Sequence, residues 1–376
     1  MLLLSGPNMG GNELKYVTEC IETGWVSSVG SYVDKFEKLS AEFAGTSFAV
    51  ATSSGTTALH TCLVLLGVTP NDLVIAPNIT FIATCNSIKY TGAGLVLIDA
   101  DENDWQMDLN LLQQFLETET EQRNDVCYHI KTGKRIPVIM PVHVLGNICD
   151  MDRLVALANE HHLIVLEDST EALGSYYKGR HAGSFGVLGT FSYNGNKIIT
   201  TGGGGMIITN DETLAKKAKH LTTQAKSDSF EYIHDEIGYN YRLVNVAAAM
   251  GVAQMEQLPG FLKRKKEIIQ FYKDQLQGVG DIQFQQVSDD VNPNWWLPTI
   301  KTEKQKDVLK LLNDAKMQSR PFWVPMNQLR MFKEDIYYHQ NDRSDFIYRH
   351  CLSIPCSTNI SNEELMEVSQ KIKEAF

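Results

Sequence analysis

Three short stretches carry side chains whose types and spacing can do chemistry. In Thr52-Ser53-Ser54-Gly55-Thr56-Thr57-Ala58, small hydroxyl residues and one glycine lead from an apolar run straight into a helical pattern. Exposed backbone N–H groups, hydroxyl donors and the helix dipole favour an anion such as phosphate at such a place. The same residues also make an ordinary N-cap. In Glu167-Asp168-Ser169-Thr170-Glu171, acids stand at the end of another apolar run. They can orient a base, pair with a cationic ring nitrogen, bind a metal or cap a helix. No histidine stands at metal-ligand spacing beside them, which weakens the metal reading. From Phe191 to Gly205, one lysine, Lys197, stands between a strand pattern and the run Gly202–Gly205. A lone lysine is ordinarily a solvated charge. The glycine run costs conformational entropy and packs nothing, so it implies a sharp loop or a close approach of backbone. It fits neither G-x-x-x-x-G-K-[ST] nor G-x-G-x-x-G. An anion cup, an acid for a pyridinium nitrogen and a lysine for an imine are together what pyridoxal 5'-phosphate requires.

These side chains need a frame. Short apolar runs at Phe48–Ala51, Leu73–Ala76, Gly94–Ile98, Val138–Met140 and Leu163–Leu166 alternate with helical patterns at 55–67, 80–90, 107–117 and 150–161. Continuous apolar strands separated by helices predict βαβ units around a buried, mostly parallel sheet. Ligands in such folds sit beyond the carboxyl ends of the strands. Further on, Thr190–Tyr193 and Gly205–Thr209 read as two strands joined by a tight loop. Helices are expected at 243–258 and 260–277. The last hundred residues gain charge and clustered aromatics (Trp295, Trp296, Phe322, Trp323). The expected division is a large domain over residues 1–249 and a smaller α+β domain over 250–376.

The chain has 376 residues, of which 34 are basic and 45 acidic, for a net charge of −11. This balance argues against nucleic acid or an anionic membrane surface as partner, since both need clustered Lys and Arg. No apolar run reaches the roughly 18 residues of a membrane span. Met1-Leu2-Leu3-Leu4 lacks the flanks and length of a signal peptide. The seven cysteines are scattered, with no C-x-x-C, and are expected to be buried free thiols in a reducing cytoplasm.

Six stretches together resemble the DegT/DnrJ/EryC1/StrS family of pyridoxal-phosphate sugar aminotransferases, in order and over nearly the whole length. They are Ser53–His60, Ala76–Thr84, Pro141–Gly146, Glu167–Gly174, Phe191–Gly205 and Gly238–Arg242. The resemblance implies the aspartate-aminotransferase (fold type I) architecture, with a seven-stranded sheet in the large domain, and homodimers with sites at the subunit interface. It implies Lys197 as the Schiff-base lysine and general acid/base, and Asp168 as partner of the pyridine nitrogen. Ser54, Gly55, Thr56 and Ser192 would hold the phosphate. Phe81 would stack on the ring, with Glu171 near its phenolic oxygen. Asn240 and Arg242 would reach the neighbouring subunit's phosphate. His143 is at most a supporting group. No metal is implied.

Trp25–Glu37 and His234–Gly238 are most similar to the legionaminic-acid branch of that family. That branch implies transfer of an amino group from L-glutamate to C4 of a UDP-linked 4-keto-6-deoxy-2-acetamido sugar for a cell-surface glycan such as lipopolysaccharide. Asn8, Trp25, Arg320 and Trp323 match its substrate-side segments. Two features depart from the family. Glu171 replaces a frequent Gln, and a charged Glu beside a phenolate is repulsive, so it is either protonated or faces another partner. The glycine run lacks an acid common at that place. Two other readings remain: a sugar dehydratase on the same fold, which Lys197 opposes because those relatives carry His there, and a non-catalytic cofactor-binding sensor. The acidic charge and the lack of a helix-turn-helix segment oppose a DNA-binding form of the latter.

Overall fold

The computed structural model describes every residue except Ser229. Seven of the ten strands of the large sheet are β1 (Phe48–Thr52), β2 (Asp72–Pro77), β3 (Gly94–Ile98), β4 (Arg135–Ile139), β5 (Ile164–Asp168), β6 (Leu188–Ser192) and β7 (Gly205–Thr209). They lie side by side in the order β1-β7-β6-β5-β4-β2-β3. Strand β7 runs antiparallel to both its neighbours, and the remaining pairs are parallel. The helices around them are α1 (Glu13–Glu22), α2 (Ser31–Ala44), α3 (Gly55–Leu65), α4 (Ala83–Tyr90), α5 (Leu109–Thr118), α6 (Met151–Glu160), α7 (Glu212–Thr222) and α8 (Asn245–Leu276).

The apolar strand runs are explained by burial on both faces. In β2, Val74 and Ala76 pack with Leu59 and Leu63 of α3, while Leu73 and Ile75 pack with Leu112 of α5 and Leu154 of α6. A two-residue side-chain period with both sets buried leaves the run Leu73–Ala76 without a polar position. This is the fold type I α/β architecture. All seven cysteines are buried and unpaired.

The second unit contains a small antiparallel sheet of β8 (Gln283–Phe284), β9 (Thr299–Lys301), β10 (Arg320–Pro321) and, later in the chain, Cys351–Ser353. Helix α9 (Gln305–Asp314) lies within this unit. Strand β11 (Ile336–Tyr338) leaves the small sheet and extends the large one, pairing in parallel with β3. The amino-terminal residues join the small unit instead, through a bridge between Leu2 and Met317. A boundary at 249/250 also falls inside α8.

Two expectations about elements are corrected. The helices at 243–258 and 260–277 are one helix, α8, with Pro259 inside it. Proline removes a helical hydrogen bond and crowds the preceding turn, at about 3 kcal/mol. Here the buried stripe of Val252, Met255, Leu258, Phe261, Lys265, Ile268 and Tyr272 runs straight past the exposed Pro259, and its burial outweighs that cost. The link between β6 and β7 is not a tight turn but the long loop 193–204, which carries Lys197.

Candidate active site

Parallel strands put their carboxyl ends on one edge of the sheet. The ends of β1, β2, β5 and β6 therefore deliver Ser54, Phe81, Asp168 and Ser192 to the same side, where β7 starts at Gly205. A cavity of about 420 Å³ opens there. Ser54, Gly55, Thr56, Phe81, Ser192, Lys197, Arg320 and Trp323 all line it.

The anion-cup stretch is the start of α3. Ser54 is its N-cap, accepting from the Thr57 N–H, and the Thr57 hydroxyl accepts from the Ser54 N–H in return. The cap thus serves Thr57, and the first-turn N–H groups of Gly55 and Thr56 are left for another acceptor. A side chain on Gly55 would come within 3.0 Å of Ser192 and of Thr170. One on Gly205 would meet the Ser54 carbonyl oxygen at 2.3 Å, so β7 can start beside the cup only as glycine.

Asp168 is buried at the end of β5. The Thr84 hydroxyl donates to its Oδ2 at 2.7 Å and the Thr170 N–H to its Oδ1 at 3.2 Å. Next to it, Glu167 accepts from the N–H groups of Gly183 and Gly186 and pairs with the buried His143 at 2.8 Å. His143 therefore belongs to the wall behind Asp168, and its Nδ1 has no partner among the described residues.

Lys197 Nζ lies 4.0 Å from Glu171 Oε1 and 3.8 Å from the centre of the Trp296 ring. Burial pushes the Lys197 ammonium toward its neutral form, and the carboxylates of Glu171 and Asp168 oppose this. Burial likewise raises the Glu171 carboxyl well above the usual carboxylate range, against the pull of Lys197 and of the Leu145 N–H, which donates to Oε2 at 2.8 Å. Of the two alternatives for Glu171, the structure thus offers both: a cationic partner and a raised proton affinity.

Phe81 is 51% exposed at the cavity mouth, so it is not a core ring. Arg320 and Trp323 close the cavity from β10 and the residues after it.

Four expected residues lie elsewhere in the single chain. The Asn8 side chain is fixed on Thr358, and its carbonyl accepts from Gln254. Trp25 is exposed, on a loop that Asn245 holds by the Trp25 carbonyl. Asn240 is exposed and bridges to Thr223. Arg242 bridges to Thr52, and its buried Nε has no partner among the described residues. None of the four lines the cavity.

Sequence reasoning did not assign Thr84, Thr170 or Trp296. Thr84 lies one helical turn after Thr80, whose hydroxyl it meets at 2.9 Å, and that spacing is a visible signal. Nothing in the run Trp295-Trp296 separates a site residue from a core one.

Residues 7–373 match the DegT/DnrJ/EryC1/StrS aminotransferase family. Two relatives are GDP-perosamine synthases. That of Escherichia coli O157:H7 is 37% identical over 98% of this chain and 97% of its own. That of Caulobacter vibrioides is 38% identical over 86% of this chain and 85% of its own. The solved structure of DesV from S. venezuelae superposes with a TM-score of 0.87 at 26% identity, covering 96% of this chain and 94% of that one. The chain belongs to the DegT/DnrJ/EryC1/StrS aminotransferase family and is a pyridoxal-phosphate-dependent sugar aminotransferase.

Proposed function

We propose that the chain moves an amino group from L-glutamate to C4 of a nucleotide-linked 4-keto-6-deoxy sugar, with Lys197 as the lysine that carries the cofactor. The observation that supports this reading is that Lys197 and the open first turn of α3 line one cavity, with the buried Asp168 behind its wall, bonded to the cavity-lining Thr170 and close enough for its charge to act on Lys197. The residues present fit the cofactor: Asp168 is oriented by two donors, and Gly55 leaves a cradle that a side chain would fill.

When bound, pyridoxal phosphate supplies an aldehyde for amines and a ring that withdraws electrons. The rest belongs to the chain. Ser54, Gly55, Thr56 and Ser192 bind the phosphate. Asp168 keeps a proton on the ring nitrogen through its oriented carboxylate. Phe81 bounds one face of the ring. Lys197 Nζ would be the amine that the aldehyde joins, with loss of water, and once free it would carry the proton at the substrate carbon. Arg320 supplies local positive charge for a dianionic nucleotide sugar on a chain of net charge −11.

The active unit in this reading is a homodimer with shared sites. Asn240 and Arg242 reach the partner's phosphate, and Asn8 and Trp25 serve the partner's substrate. The exposure of Asn240 and Trp25 and the unpartnered Arg242 Nε support it. Among the described residues no helix is long and apolar enough to cross a membrane.

The segments Trp25–Glu37 and His234–Gly238 favour a UDP-linked 2-acetamido sugar. The relatives named GDP-perosamine synthases favour a GDP-linked sugar as the second reading. The test is turnover with glutamate of UDP-linked 2-acetamido 4-keto, GDP-linked 4-keto and dTDP-linked 3-keto sugars, read by mass. Amination of the UDP sugar is expected. Preference for the GDP sugar selects the second reading, and faster turnover of the 3-keto sugar overturns amination at C4.

A further inference from the structure

The indole of Trp296 is held more firmly than packing requires. Its Nε1 donates to the Asn196 carbonyl at 2.7 Å, next to Lys197 in the chain. Its own N–H donates to Asn294 Oδ1 at 2.8 Å, and its carbonyl accepts from the buried Lys265 Nζ at 2.9 Å. Asn294 in turn donates to the carbonyls of Glu171 and Leu173, so the segment is tied to the loop that carries Glu171. The preceding Trp295 sits at φ 54°, a backbone region that costs energy for an aromatic residue. Strain held by this many bonds places the ring where Lys197 Nζ lies 3.8 Å above its centre.

We propose that Trp296 is a positioning residue for Lys197, whose ring face holds the free ammonium and keeps the proton on lysine rather than on Glu171. This rests on the reading of Lys197 as the cofactor-bearing lysine. The groups around Nζ are Asp168 at the end of β5, Glu171 from the loop after it and Trp296 from residues 294–297; Arg320 lines the same cavity. Glu171 stabilises the ammonium but can also take its proton, leaving two neutral groups in a buried site. An aromatic face attracts the cation and cannot accept the proton. Trp296 therefore decides where the shared proton sits.

The test reads the pH midpoint of Lys197 acylation by mass spectrometry in full-length protein loaded with pyridoxamine phosphate, where Lys197 is a free amine. Only the neutral amine reacts, so the midpoint follows its proton affinity whatever the accessibility. Trp296→Leu is expected to lower the midpoint by about one pH unit. Trp296→Phe should lower it less. Fluorinated tryptophan, which weakens the ring face without changing the fold, should lower it stepwise. The same labelling with pyridoxal phosphate bound should leave Lys197 protected. An unchanged midpoint in both the fluorinated protein and the Leu variant, with protection intact, overturns the proposal alone. Equal labelling in both cofactor forms overturns it together with the assignment of Lys197.

Discussion

Asp168 is oriented by its own neighbours: Thr84 and Thr170 each donate to one of its oxygens, and burial keeps water from competing. A carboxylate fixed in this way costs no reorganisation when charge develops on a bound ring. Asp168→Asn keeps the shape and both contacts' positions but removes the charge. It is expected to fold normally, by circular dichroism and melting temperature, and to lose activity by about 100-fold or more. Near-normal turnover would make Asp168 structural. Lys197, Asp168 and the hydroxyl turn stood out because each follows an apolar strand run, where ligands sit in such folds; each alone had an ordinary reading, and only their combination pointed to one cofactor. Trp296 was not, because its place depends on a left-handed backbone at Trp295 and on bonds from Lys265 and Asn294, which are distant in sequence.

At the scale of elements, one ion pair fastens the sheet. Arg135 of β4 donates from two nitrogens to both oxygens of Asp72 of β2, each at 2.8 Å. Burial alone would raise the Asp72 carboxyl; the Arg135 and Thr69 donors outweigh it and hold the carboxyl below its usual value of 3.8. A group whose folded pKa is depressed stabilises the fold above its unfolded pKa, and that stability is lost as pH falls through the lower folded value. Asp72→Asn should therefore cost about 1–2 kcal/mol at neutral pH. The gap to the parent should close in acid, in denaturant melts across pH. A constant gap would show that charge is not the cause. The strands themselves were readable, since burial on both faces leaves unbroken apolar runs. The union of two helices across Pro259 was not, because a local rule about proline is overridden by the buried stripe on either side. Nor was β11, whose partner β3 lies far back in the chain. No local pattern encodes which sheet a three-residue strand joins.

At the scale of the whole molecule, the single chain gathers Ser54, Gly55, Thr56, Ser192 and Lys197 on one cavity and leaves Asn240 and Trp25 exposed and Arg242 half-buried outside it. The shared-site reading predicts complementation. A Lys197→Ala chain and an Asn240→Ala/Arg242→Ala chain, each inactive alone, should regain part of the activity when mixed and reassembled, because one hybrid site has all its parts. Failure to recover, with mixed dimers demonstrated by mass, would contradict it, as would full activity in a demonstrated monomer.

The central claim is that Lys197 carries pyridoxal phosphate between a fixed acid and an anion-binding helix turn. Borohydride reduction of the purified protein followed by peptide mapping tests it most directly. The account predicts a phosphopyridoxyl label on Lys197, in the peptide that spans Asn194 to Gly205. A label on any other lysine would contradict it.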